Sequence, residues 1–297
     1  MDLDLDRMLR LTRRGQWSIE DIDWHRPLAG AEQMDPIERR DAGLQLLFTA
    51  GLERQAAKIF LLCAEYIDDQ RAAEIYQLFY QDELRHAEAE IRLAARYGVG
   101  WNDLPPPSRW MFRQMDKIFI RPGRGHHEVT SATILLFELA LDTLLIPALK
   151  EQTSDDVQAE VFRRIDQDES RHLAMDYWLL DRKGGQYAGQ DLDAVIEETM
   201  GPRTRWQRLR GKYILYRSFI SLLVGMGAMG LKTRSLRKKL MAPERVEQYL
   251  SRVRKVPERA PRAMEVPAYR MGLGGLRRIL RFERGIGSVA TGDFSES

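Results

Sequence analysis

At 297 residues, 44% hydrophobic and 30% charged, with a formal net charge of +2, the chain has the makeup of a soluble protein that can bury one large core. One cysteine excludes an intrachain disulfide, and Cys63, inside the apolar run KIFLLCAEY, reads as a small core residue. The start, MDLDLDRMLRLTRRG, lacks the apolar stretch of a secretory leader, so a cytoplasmic location is expected. The near-neutral total hides a split. Residues 201–297 carry 22 Lys and Arg against 7 Asp and Glu, whereas residues 1–200 carry 24 against 37, which points to different partners for the two parts.

Almost nothing along the chain has the alternation of a strand, and the long segments follow helical periodicity. Asp35-Pro36-Ile37-Glu38 is a helix start, with an Asp cap and Pro at the first helical position, and the helix should run to about Tyr66. Ile67 to Gln70 is the expected turn, followed by a helix to about Tyr97 that stops at Gly98-Val99-Gly100. WNDLPPPSRW is expected as a rigid connection, MFRQMDKIFI as a short helix and RPGRGHHE as an irregular patch. TSATILLFELALDTLLIPAL is apolar nearly all round, as in a helix buried on most sides, with Pro147 kinking or ending it. After the turn QTSDD a fourth long helix is expected from about Asp156 to Arg182, halted by Gly184-Gly185. These are two helical hairpins in series.

Within them QDELRHAEAE, from Gln81, is echoed by QDESRHLAMD, from Gln167, and the pair uses two of the five histidines. Glu83 and His86 are three residues apart, as are Glu169 and His172, so each pair shares one helix face. One Glu-x-x-His is weak evidence; its repetition is stronger. Glu53 and Glu138 lie in the apolar faces of the two preceding helices, and the midpoints between each and its Glu-x-x-His fall in the turns already assigned. Packing the hairpins together would gather four Glu and two His, the ligand set of a carboxylate-bridged di-metal site. Four carboxylates offset the charge of two divalent ions, each imidazole fixes one ion, and open positions remain for oxygen. The competing reading pairs Glu53 and Glu138 with Arg54, Arg85 or Arg171 and leaves the repeat without metal. Asp82 and Asp168 are expected to accept from the free ring nitrogens of the histidines, each reaching the opposite hairpin.

Glu53 with DELRH and Glu138 with DESRH resemble the signature of the ferritin-like di-iron carboxylate superfamily. GQWSIEDIDW, Gly15 to Trp24, is similar to the N-terminal arm of oxidases related to the ribonucleotide reductase small subunit. The resemblance covers about residues 10 to 185. It implies an all-α fold with an arm over residues 1–34 and a four-helix bundle over 35–185, to which the charge and helical pattern of the remaining residues add a basic helical extension over 186–297. It also implies two Fe ions, or Mn and Fe, with O2 as co-substrate, and an oxidase or oxygenase that hydroxylates, desaturates or N-oxidises an apolar or carrier-bound substrate. A ferroxidase with the same ligands is the alternative. Where radical-bearing small subunits have Tyr, four residues after the first motif histidine, this chain has Glu90. The Val-Tyr crosslink positions of the ligand-binding oxidases match Gln55 and Thr133, and the extra histidine of the arylamine N-oxygenases matches Ile165. Asp142 occupies the position, four residues after Glu138, where related hydroxylases hold a proton-delivering Thr, so Asp142 is the expected relay; an ion pair with arginine is the alternative.

The C-terminal third contains two decoys. GMGAMG, Gly225 to Gly230, fits a dinucleotide fingerprint in spelling but lacks a preceding strand, and YILYRSFISLLVGMGAMGL is interrupted by Arg217 as a membrane span. A fifth helix ending in a flexible glycine segment is expected, then a helix in ERVEQYLSRVRK. Electrons are expected from a ferredoxin or reductase. The basic region is expected to dock an acyl or peptidyl carrier protein, with a membrane surface or RNA as other partners and a homodimer compatible with the pattern.

Overall fold

A computed structural model of the chain describes residues 3–119, 124–151, 155–187, 224–233 and 241–286, with residues 204 and 221 between them. The described residues are helical and contain no strand. Helix α1, Leu5–Arg14, is capped by Asp4, whose side chain accepts from the Arg7 amide at 2.9 Å. Helix α2, Pro36–Tyr66, starts at the Asp35 cap, which accepts from Ile37 and Glu38. Helix α3, Gln70–Arg96, is capped by Asp69 and closes at Gly98, whose φ of 77° lies where glycine alone carries no penalty. Helix α4, Pro106–Ile118, begins inside the proline run, because prolines at the first helical turn give up no hydrogen bond there.

Helix α5, Arg124–Ala140, begins earlier than the sequence reading placed it and takes in His126 and His127; residues 120–123 lie outside the described segments. It then passes through a π turn, Leu141–Leu145, into the short helix α6, Ile146–Lys150. Pro147 neither ends the helix nor stands alone as a kink. It follows a wider turn, which accommodates its missing N–H and its clash with the carbonyl four residues back. Helix α7, Asp156–Tyr187, runs straight through Gly184 and Gly185. Those glycines do not stop it; they allow close approach. A Cβ on Gly184 would lie 2.1 Å from the Arg262 carbonyl oxygen, and one on Gly185 2.4 Å from its guanidinium.

The hairpin α2–α3 packs against α5 and α7. At one level Leu46, Leu47, Phe48, Leu93, Phe112, Val161, Phe162 and Ile165 form one apolar core. At the other, Phe60, Ile75, Tyr76, Phe79, Met175 and Leu179 form a second, covered by Leu5, Met8 and Leu9 of α1. Glu53 on α2 and Glu83 on α3 fall in sequence between these levels.

The C-terminal helices Pro243–Arg254 and Pro267–Ile286 share a third core with α5 and α7, built on Leu135, Leu139, Tyr177, Leu180, Tyr249, Val253 and Tyr269. Arginines of this region turn toward bundle acids: Arg245 and Arg252 of the first helix to Glu151 and Asp142, and Arg262, between the two helices, to Asp181. Part of the charge split is thus complementarity within one chain. Residues 224–232, including the glycines of GMGAMG, are helical rather than a loose glycine segment, and Ser108 on α4 donates to the Gly225 carbonyl at 2.8 Å. Most of YILYRSFISLLV lies outside the described residues. The stretch His127–Lys150 is apolar and long enough to cross a membrane, but 61% of its most apolar window is buried inside the protein, as in a core helix. Gly184→Ala is expected to destabilise the protein by about 1–3 kcal/mol through overpacking, read by denaturant unfolding. A neutral result would show that Arg262 is not held there.

Candidate metal centre

Each helix of the bundle brings an acid to its inner face at one level. Glu53, Glu83, His86, Glu138, Glu169 and His172 are each at most 1% exposed. One donor atom from each of Glu53, Glu83, His86 and Glu169 lies within 4.8 Å of the others, and the same holds for Glu138, Glu169 and His172. The structure therefore brings all six sequence-derived residues into two adjoining groups, and Glu169 belongs to both. The imidazole centroids are 5.9 Å apart.

Neither carboxylate oxygen of Glu53, Glu83, Glu138 or Glu169 has a hydrogen-bond partner, nor has Nδ1 of His86 or His172. The two Nδ1 atoms face the cluster all the same: His172 Nδ1 lies 3.0 Å from Glu83 Oε1, and His86 Nδ1 lies 3.4 Å from Glu169 Oε1. Such a concentration of unpartnered buried acid has no stabilising role in a bare protein, since unpaired buried charge costs several kcal/mol. The arginines of the competing reading are engaged elsewhere. Arg85 pairs with Asp82, Arg171 with Asp168, and Arg54 stacks on Trp101 at 5.7 Å. The donor set, its burial and its orphaned atoms fit two metal ions.

The protonation of the cluster shows the same strain. Burial, then Glu53, holds the Glu83 carboxyl well above the usual range, and burial, then Glu169, does so for Glu138. Burial works against charge on the histidines, but Asp168 and Glu169 hold His86 well above its ordinary value, and Glu169 with Asp82 holds His172 at about 9. Burial also pushes Glu169 upward, and the two imidazoles outweigh it and draw it well below the carboxylate range. Without metal, the site balances its charge with protons.

The outer faces of the histidines are crossed between hairpins. His86 Nε2 is 2.9 Å from Asp168 on α7, and His172 Nε2 is 3.4 Å from Asp82 on α3. Two consecutive residues of the N-terminal arm, which the sequence reading noted only by resemblance, complete this layer. Trp17 Nε1 donates to Asp168 at 2.8 Å, and Gln16 Nε2 donates to Asp82 at 2.9 Å. Trp17 lies nearly parallel to His86, at 6.4 Å, and the guanidinium groups of Arg85 and Arg164 lie over its ring, at 5.6 and 5.4 Å. Gly15 leaves room for the Arg171 guanidinium, which a Cβ there would meet at 2.7 Å. Asp168→Ala is expected to weaken metal binding roughly 10–100-fold, measured by chelator competition; unchanged affinity would deny the crossed contact any part in orienting His86.

Asp142 does not stand where the sequence reading put it. The π turn adds a residue to the turn after Glu138, so Asp142 rotates outward, a quarter exposed, and pairs with Arg252, while the buried position passes to Thr143, whose hydroxyl has no partner. This is the ion pair with arginine that the sequence reading held as the alternative to a relay. Glu90 and Asp176, both 1% exposed, were not read as site residues. The signal was present, since each follows its motif histidine by four residues and so falls on the same face.

No family model and no curated protein matches this chain. Among solved structures, dimanganese(II)-NrdF from Streptococcus sanguinis is similar: 91% of this chain and 95% of that one superpose with a TM-score of 0.56 at 11% identity. The fold is ferritin-like. It is the form found in the NrdF ribonucleotide reductase small subunit, and at its centre lies a buried carboxylate and histidine cluster suited to two metal ions.

Proposed function

We propose that this protein is a non-haem di-iron oxidase or oxygenase. The observation that carries the reading is the set of eight carboxylate oxygens, on Glu53, Glu83, Glu138 and Glu169, that are buried together and make no hydrogen bond in the protein. Two iron ions held there would activate O2 for attack on a C–H or N–H bond of an apolar or carrier-bound substrate. Glu53, Glu83, His86 and Glu169 form one half-site, and Glu138, Glu169 and His172 the other. Asp168 and Asp82 keep the Nε2 protons of the histidines and so turn both Nδ1 atoms inward. Phe60 and Phe79, with ring centroids 5.1 and 4.2 Å from His172, keep water from that side.

Trp17, half-buried in the arm and linked through Asp168 to His86, is the route by which an electron from a ferredoxin or reductase would enter. A Mn/Fe pair is compatible with the same donors. The basic C-terminal face would meet a carrier protein through arginines not already turned to the bundle.

The test is metal content per chain after iron loading under reducing conditions, followed by rapid mixing with O2 and analysis for an organic product from candidate apolar substrates. Two ions per chain, consumption of O2 and an oxidised product are expected. Failure to bind metal would reject the reading, and iron oxidation into a mineral core without any organic product would favour the ferroxidase.

A further inference from the structure

The duplicated motif is longer than Glu-x-x-His. In both copies it is Glu-x-x-His-x-x-x-acid: Glu83, His86 and Glu90 on α3, then Glu169, His172 and Asp176 on α7. Residues at i, i+3 and i+7 form one stripe of a helix, so the added acid follows its histidine by one turn on the face that points inward. Both added acids are 1% exposed, and Glu90 Oε2 and both oxygens of Asp176 lack a hydrogen-bond partner. The Tyr76 hydroxyl adjoins Asp176 but donates to the Met175 carbonyl, at 3.3 Å.

Each acid sits one helical turn beyond the histidine of one half-site, Glu90 beyond His86 on α3 and Asp176 beyond His172 on α7. Burial raises both carboxyls, Asp176 to about 8. Asp82 and Asp168, by contrast, have Arg85 and Arg171 as counter-ions.

Charge counting then separates the oxidation states. Four carboxylates balance two divalent ions, and six balance two trivalent ones. We infer that Glu90 and Asp176 are a second tier of donors, each supplying a carboxylate to the trivalent ion of its own half-site. The four inner carboxylates suffice for divalent ions, and each added carboxylate, buried one turn beyond its histidine, is drawn to its ion when that ion's charge rises. The inference rests on the metal reading above and extends its ligand set from six residues to eight.

The test uses redox-inert Ga3+ and divalent Co2+, each buffered by citrate, on the full chain and on the isosteric variants Glu90→Gln and Asp176→Asn. Each variant is expected to bind Ga3+ at least ~10-fold more weakly while Co2+ affinity stays within about threefold. The metal-free variants should unfold at or above the wild-type temperature, because a costly buried carboxylate is gone. Unchanged Ga3+ affinity would overturn the inference, as would an equal loss of both ions, which would mark the two residues as merely structural. A wild type that binds neither ion would instead reject the metal reading itself.

Discussion

Glu169→Ala is expected to empty both halves of the centre, whereas Glu138→Ala leaves one ion per chain. Glu169 is the residue common to both donor groups. Its Oε1 lies 3.4 Å from His86 Nδ1 and its Oε2 3.5 Å from His172 Nδ1, so one oxygen faces each half-site, as a bridging carboxylate requires. Removing Glu138 deprives only the group that also contains His172. Affinity at both sites should fall on the order of 100-fold or more in Glu169→Ala, beyond the loss typical of residues that only orient a ligand. Elemental analysis after equilibration with Fe2+ reads the count. One ion retained in Glu169→Ala would show that it does not bridge.

The metal-free protein is expected to lose stability as pH rises from 5 to 8, and the metal-loaded protein to keep it. Glu83 and Glu138, held well above the carboxylate range by burial, and Asp176, at about 8, bind more protons folded than unfolded. A group with a raised folded value contributes its full stability below its unfolded value and loses it as pH climbs through the folded one, here from about 4 to about 8 for Asp176. His172, raised to about 9, acts in the same direction above its ordinary value. Glu169, drawn well below the usual range, contributes in the opposite sense but only at lower pH, so it does not offset the fall. A drop in melting temperature on the order of 10 °C is expected in the metal-free form. Metal replaces the protons, and each ion adds about 2.7 kcal/mol when free metal is 100 times its Kd, so the gap between the two forms should widen with pH. Thermal scans with and without chelator measure it. A metal-free melting temperature that rises over this range would mean the carboxylates are not confined together.

The amino-acid sequence by itself determined the helices and the level of the site. Asp35 before Pro36, Asp69 before Gln70 and Gly98 after α3 are local chemistry, set by hydrogen bonds and backbone angles within a few residues. With both turns located, the distances from Glu53 to Glu83 and from Glu138 to Glu169 placed four acids at one height, since residues equally far from a tight turn meet in a hairpin. The crossed pairing of Asp82 and Asp168 followed from the same repeat.

Tertiary structure decided what local rules do not carry. Gly184 resembles a stop signal, yet α7 passes through it because Arg262 packs where a side chain would stand. Asp142 has helical spacing from Glu138, but the π turn before Pro147 shifts the register by one residue and hands the acid to Arg252. Gln16 and Trp17 reach Asp82 and Asp168 across 66 and 151 residues of chain, a distance over which no periodicity operates. Glu90 and Asp176 lay on the correct face in the sequence, but only packing shows that they are buried, with Glu90 Oε2 and both Asp176 oxygens making no hydrogen bond. Spacing says which residues share a face; the neighbours across that face, which set burial, pairing and charge, exist only once the helices have packed.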